Sequence, residues 1–297
     1  MRNASLLKPK SEKLFDTINV LFAIFICFIT LYPIWFALVN AFNDGTDALK
    51  GGIYWWPRVF TINNFKAVFG TNNIINSFFV SVARTVLGTV THVFLTAMVS
   101  YALSKRELMG RKAYLVIGTI TLFFGGGLIP TFLLIKALGL YNNFLVYIIP
   151  TMFSFYYLLI FQGFFREIPV SLEESAKMDG ANDFYIFMKV IIPLSKPVLA
   201  TIGLFVGVSH WNDYFMGVVY ILDAKLLPIQ TYLYKIIALT GFDEIKITTP
   251  DFVGSKQVTS QSIKYSTMIL TTLPIIAVYP FLQKYFVKGM LIGSIKG

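Results

Sequence analysis

Residues 17–43 form an unbroken stretch of 27 positions without a charge. A helix needs about 20 mostly apolar residues to cross a hydrocarbon core, and inside a bilayer every backbone polar group must be satisfied internally. Few folds meet both demands. The rest of the chain extends the constraint: 56% of its 297 residues are hydrophobic and 13% charged, with a mean hydropathy of +0.68, outside the range of soluble globular domains. Six runs meet or nearly meet the length requirement, at 18–42, 74–104, 113–135, 138–165, 198–222 and 265–283. They predict an all-α polytopic membrane protein with six transmembrane helices, although the second and fifth runs carry charges or a histidine.

Lys8, Lys10 and Lys13 precede the first run, as in a secretory signal. The run is longer than a signal's 7–15-residue apolar core and lacks a small-residue cleavage site, which favours a retained first span. The formal charge of +10 is not spread in the manner of a nucleic-acid-binding surface. It gathers in Arg2, Lys8, Lys10 and Lys13, in Lys105, Arg106, Arg111 and Lys112, in Arg166, Lys177, Lys189 and Lys196, and in Lys284, Lys288 and Lys296. The positive-inside rule then places both termini and the Glu174 segment in the cytoplasm. Cys27 is alone and within the first run, which excludes an internal disulfide or thiolate cluster. With His92 and His210 as the only histidines there is no HExxH. A GxSxG elbow and a Gly-Lys-Ser/Thr P-loop are also missing, so neither catalysis nor a cofactor or metal site is expected.

The polar stretches divide the chain into a first helix with its outer loop (1–73) and a five-helix block (74–297) holding a polar insert (169–197) and a C-terminal tail. Tyr54, Trp55, Trp56 and Pro57 suit the headgroup level or contact with an external partner. Gly125, Gly126, Gly127 and Pro130 predict a break in the third span. Gly203 and Gly207 would let two helices approach closely. The connection 223–264 is long enough to imply a role of its own.

The insert reads as an elbow. Ser171 and Glu174 stand at capping-box spacing, Gly180 stops the first helix, and Asn182 or Asp183 can cap a second one through Phe184, Phe187 and Val190 toward Pro193 and Pro197. Arg84, His92, His210 and Asp213 are ionisable groups at membrane depth, where such groups are costly and often functional. Each either braces the structure, with Arg84 snorkelling to an interface, or lines a pathway. Trp211, Tyr214 and Tyr220 either stack on a ligand in that pathway or pack.

The order Glu174, Ser175, Ala176, three residues, Gly180, nine residues, Val190, Ile191, Ile192, Pro193 resembles the E-A-A…G…I-x-L-P pattern of ATP-binding cassette (ABC) importer permeases. Ser175, Val190 and Ile192 depart from the usual Ala, Ile and Leu. The stretch Trp211, Asn212, Asp213, Tyr214 is similar to the W-N-D-F/Y signature of maltose-type carbohydrate permeases. The tail Phe286, Val287, Lys288, Gly289, Met290, then Gly293 to Gly297, resembles their smaller permease. The resemblance implies a type I ABC importer transmembrane fold in the cytoplasmic membrane of a prokaryote. It implies ATPase coupling through Glu173, Glu174, Ser175, Ala176, Asp179, Gly180, Ala181 and Pro193, and ATPase contact by Gly293, Lys296 and Gly297. The candidate substrate pathway is Arg84, His92, Trp211, Asn212, Asp213 and Tyr214. Implied partners are a second, dissimilar permease, two ATPases that hold ATP and Mg, and an extracytoplasmic sugar-binding protein. The implied cargo is an oligosaccharide, including uronate-containing fragments of plant or algal polysaccharide. An ion-coupled secondary transporter with Asp213, His92 and Arg84 as a relay, and a scaffold subunit that moves nothing, are the alternatives. Neither requires an elbow.

Overall fold

The computed structural model describes residues 10–70, 72–240 and 258–294. Among these residues the structure is helical, apart from one isolated antiparallel bridge between Asn43 and Phe60. In chain order the helices are α1 (Lys10–Ala41), α2 (Gly45–Ala48), α3 (Asn63–Gly70), α4 (Asn72–Ser104), α5 (Arg111–Phe123), α6 (Leu128–Ala137), α7 (Phe155–Phe165) and α8 (Val170–Met178). They continue with α9 (Asp183–Ile186), α10 (Ile192–Leu194), α11 (Lys196–Asn212), α12 (Phe215–Tyr220), α13 (Ile229–Thr240) and α14 (Ser260–Ser294). The chain forms two compact units, Met1–Gly70 with Leu239–Leu270, and Thr71–Ala238 with Thr271–Gly297. Helices α1 and α4 are each long and apolar enough to cross a membrane, and three bent pairs would raise the count to five. The sixth run lies within α14, which contains Pro274 and Pro280.

In the first unit, α1 is apolar and exposed along most of its length, but its last turns are buried at Ala37, Val39 and Ala41. Ala37 and Ala41 cluster with Leu38, Phe65, Tyr265 and Ile269. The following loop is knitted by polar side chains. Asn64 donates to the Ala41 and Asn43 carbonyls at 2.9 and 2.7 Å, and the Asn43 amide oxygen accepts the Val59 N–H at 3.0 Å. Arg58 donates to the Asp47 carboxylate at 3.0 Å and to the Gly51 carbonyl at 2.7 Å. Asp44 caps α2, and the Thr46 hydroxyl that donates to it holds its carboxyl below the usual range against the opposing effect of burial. The aromatic cluster folds back on α1: Trp55 lies against Phe28 and Tyr32, Trp56 lies edge-on to Trp35, and the Trp35 indole N–H donates to the Trp55 carbonyl at 3.1 Å.

The second unit is built on α4, with α11 and α7 laid against it. The expected close approach is present: a methyl placed on Gly203 would stand 3.9 Å from Thr89 and Val93, and one on Gly207 would stand 3.4 Å from the Thr89 hydroxyl. Between α4 and α11, Gly88 of α4 makes a closer step than either. Its missing Cβ would lie 2.5 Å from the His210 ring. Gly88→Ala is therefore expected to force α4 and α11 apart at a cost of about 1–3 kcal/mol, while Gly203→Ala is near neutral. Thermal unfolding in detergent separates the two; equal melting temperatures would show that the His210 contact does not set the helix spacing.

The third run breaks where the glycines predict, α5 and α6 meeting at 117°. The fourth departs from a continuous span. Only Phe155–Phe165 is α-helical, and the preceding stretch forms short 3₁₀ turns at Phe144–Tyr147 and Ile149–Thr151. Gly139 and Asn142, both with positive φ, and Pro150 interrupt an apolar run that composition alone reads as one helix. Asn142 also ties this segment to the end of α12, accepting the Leu222 and Asp223 N–H groups at 2.9 and 2.8 Å.

Candidate functional site

Helix α8 begins at Val170, two residues earlier than capping by Ser171 requires. Pro169 occupies the cap position and no side chain caps the helix, so the Ser171–Glu174 capping box is not formed. The C-terminus behaves as its glycine predicts. Gly180 adopts φ +81°, and the Gly180 and Ala181 N–H groups donate to the Lys177 and Ala176 carbonyls at 3.0 Å each, the paired bonds of a Schellman stop. Of the two possible caps for the second arm, Asn182 serves, accepting the Tyr185 N–H at 2.8 Å. Residues Phe187–Ile191 then widen into a π-turn, next to Pro193, which cannot supply the N–H that the Lys189 carbonyl would receive in an α-helix.

One side of the elbow is anchored. Ile186, Phe187 and Ile191 are buried with Ala97, Tyr101, Phe161, Phe165, Val198, Ile202 and Val206, and Phe187 lies 5.4 Å from the Tyr101 ring. Ala176 and Ala181 pack at the edge of this cluster. Lys105 pairs with Glu173 while its ammonium sits 4.2 Å over the Tyr101 ring. Partial burial, then the like charge of Lys177, push the Lys105 pKa down. Lys177 and Asp183 close the elbow at 3.5 Å. The other side is bare: Met178 is 88% exposed, with Val170, Phe184 and Tyr185 also exposed. Glu174, Ser175, Asp179, Gly180 and Pro193 stand in the open as well. Glu173 thus braces the elbow, whereas Glu174 is exposed. Gly293 lies near the end of α14, and Lys296 and Gly297 lie outside the described residues, as do residues 241–257 of the long connection.

A second cluster gathers around Arg84, which is 1% exposed. The expectation that it snorkels is corrected: its guanidinium donates to the Asp213 carbonyl at 2.9 Å and to the carboxylate at 2.5 Å, and lies 4.3 Å over the Tyr147 ring. Burying the charge is tolerated because an opposite charge, a carbonyl and an aromatic face replace its water. The other Asp213 oxygen accepts the Phe215 N–H at 3.1 Å and starts α12. The Tyr147 hydroxyl donates to the Leu226 carbonyl at 2.9 Å. His92 directs Nδ1 to the Thr151 carbonyl and sets its ring against Tyr157. Trp211 is buried, its indole donating to the Thr271 carbonyl at 3.0 Å. Asn212 and Tyr214 are more open, the latter stacked on Tyr234 at 4.6 Å. Trp211 and Asp213 of this stretch are thus held by the fold, while Asn212 and Tyr214 are exposed. Tyr147, Asn142 and Gly88 were not singled out from the sequence, and Lys105 was read only as one of the charges of its loop. Only Gly88, a glycine inside an apolar run, carried a local signal.

The family model described as "Binding-protein-dependent transport system inner membrane component" matches residues 8–292. The chain is 38% identical over 288 residues, 97% of each protein, to the protein LplC of Bacillus subtilis (strain 168). It is 36% identical over 286 residues to the polygalacturonan/rhamnogalacturonan transport system permease protein YtcP of the same organism, covering 96% of this chain and 99% of that one. Among solved structures, a chain from a bacterial ABC transporter involved in the import of the acidic polysaccharide alginate superposes with a TM-score of 0.87 at 29% identity, covering 95% of this chain and 100% of the other.

Proposed function

Since the chain belongs to the binding-protein-dependent transport system inner membrane components, and so is a permease subunit of an ABC importer, we propose that it forms half of a translocation path for oligosaccharides, uronate-containing ones included, and couples that path to ATPase subunits. The observation that carries the coupling is the two-sided elbow: Ile186, Phe187 and Ile191 locked into the helical core, Met178 and Phe184 bare. A subunit that pulls on the bare side moves α4 and α11, because the Schellman stop and the Lys105–Glu173 pair leave the elbow little slack. ATP and Mg are then held by two partner ATPases. A second, dissimilar permease completes the path, an extracytoplasmic binding protein delivers the sugar, and both termini lie in the cytoplasm. The acidic cargo is supported by relatives named for polygalacturonan/rhamnogalacturonan and alginate.

Gentle detergent extraction of the tagged chain from its native membrane, followed by mass spectrometry, is expected to recover a different permease and a P-loop ATPase. A chain that emerges alone or as a homodimer, under conditions that preserve such complexes, would overturn the assembly. Membership in this family leaves no role for the alternative ion relay through Arg84, His92 and Asp213.

A further inference from the structure

Helix α1 is longer than a bilayer is thick. Its 32 residues extend for about 48 Å, against a hydrocarbon core of about 30 Å. Charge alone would allow the membrane to sit anywhere along residues 17–43. The loop after α1 narrows the choice, because it turns back beside the helix instead of standing above it. Trp55 lies 5.3 Å from Tyr32 and 6.0 Å from Phe28. Trp56 lies 5.5 Å from Trp35.

The returning strand of the loop is irregular. Gly51 and Gly52 are exposed with φ of +69° and +75°, Lys50 extends into the open, and Arg58 spans the turn. Lipid-exposed irregular backbone does not occur within the hydrocarbon layer. The boundary on this side must therefore lie at or below the level of Trp35, not at Ala41. Counting 18 residues back from Ile34 reaches Thr17, about 27 Å away, next to Asp16 and Lys13. Burial changes at the same place. Ile18, Phe22, Phe25, Leu31 and Ile34 are exposed, whereas Ala37, Val39, Asn40 and Ala41 are buried beside the Asn43, Asp44 and Asp47 knot.

We propose that the loop 50–60 is an anchor seated in the phospholipid headgroup layer, on the membrane face away from Lys13. Tyr54 and the 73% exposed Trp56 lie at the interface, as belt aromatics do. The Lys50 ammonium, only loosely held at 3.5 Å from Asp47, is turned toward the phosphates. The last two turns of α1 stand clear of the hydrocarbon and support the loop from within. This assignment rests on the chain being an inner-membrane component and is independent of the coupling elbow.

Spin labels in the reconstituted full-length chain test it through collisions with oxygen and with a water-soluble nickel chelate. A label on native Cys27 serves as the deep reference, being about 12 Å along α1 from Trp35. A label on Trp56→Cys, in a Cys27→Ser background, is expected near the phosphate level, with both colliders reaching it. A label on Lys50→Cys, in the same background, is expected on the aqueous side of that and offers a second, exposed attachment point. A Trp56→Cys label as deep as Cys27 would overturn the register. One that behaves as free in water, or is shielded from both colliders, would overturn the lipid assignment, the shielded case pointing to a protein partner.

Discussion

A Gly180→Trp variant is expected to reach the membrane in normal amount, to assemble, and to lose at least about ten-fold of its sugar uptake while ATP hydrolysis continues. Nothing lies within 4 Å of the position a Cβ would take there, so a side chain meets no steric block. The cost is the left-handed conformation, about 1–2 kcal/mol for a residue other than glycine, which a core of this size tolerates. The functional effect comes from where the indole stands, on the open face shared with Met178 and Phe184. Gly180→Ala imposes the same backbone strain without the bulk and is expected to keep most of its uptake. Parallel assays of transport and ATPase activity separate the cases. Wild-type uptake by the tryptophan variant would sink the docking assignment, and equal loss in both variants would reduce Gly180 to a helix stop.

Removing the Arg84 guanidinium has the largest expected effect on stability. Arg84→Ala leaves the Asp213 carboxylate with no cation, and breaking a buried pair costs about 3–5 kcal/mol. The lower end applies, since the Asp213 side chain keeps 25% of its surface exposed. Arg84→Met combined with Asp213→Asn is expected to recover much of the loss: the stem still fills the site, and the asparagine oxygen can still accept the Phe215 N–H that starts α12. Melting temperatures of the single and double variants in detergent measure the coupling. Strict additivity would mean that the two residues act separately, and the pair would then not be the tie between α4 and the α11–α12 break.

The sequence revealed what depends on near neighbours. Three successive glycines announced the break between α5 and α6, Gly180 and Asn182 announced the elbow's turn, and Gly203 with Gly207 announced a close helix contact. Local patterns also misled. The Ser171–Glu174 spacing suggested a capping box, but Pro169 already starts the helix, and the apolar run 138–165 hid the turns around Gly139 and Asn142. What could not be read was partnership at a distance. Arg84 and Asp213 are 129 positions apart, and Lys105 and Glu173 are 68 apart; the sequence set Arg84 beside Asp213 only in the relay alternative, and nothing in it joins Lys105 to Glu173. A lone arginine in an apolar run therefore suggested snorkelling, and only the packed helices show that its counter-ion comes to it.

The π-turn at Phe187–Ile191 gives the elbow a mechanical property of its own. Each residue of an α-helix turns the chain by about 100°, so one residue more or fewer between the Asn182 cap and Ser195 acts like moving a gear by one tooth. The wide turn absorbs one such residue. It lets Ile186, Phe187 and Ile191 share the inner side while Met178 and Phe184 keep their outward bearing. The direction in which the elbow's open face points is thus fixed by the number of links in the chain, and less by their chemistry. Exposed residues on that face can change while the angle holds, whereas a single-residue deletion would leave every side chain in place by name and aim the whole surface elsewhere.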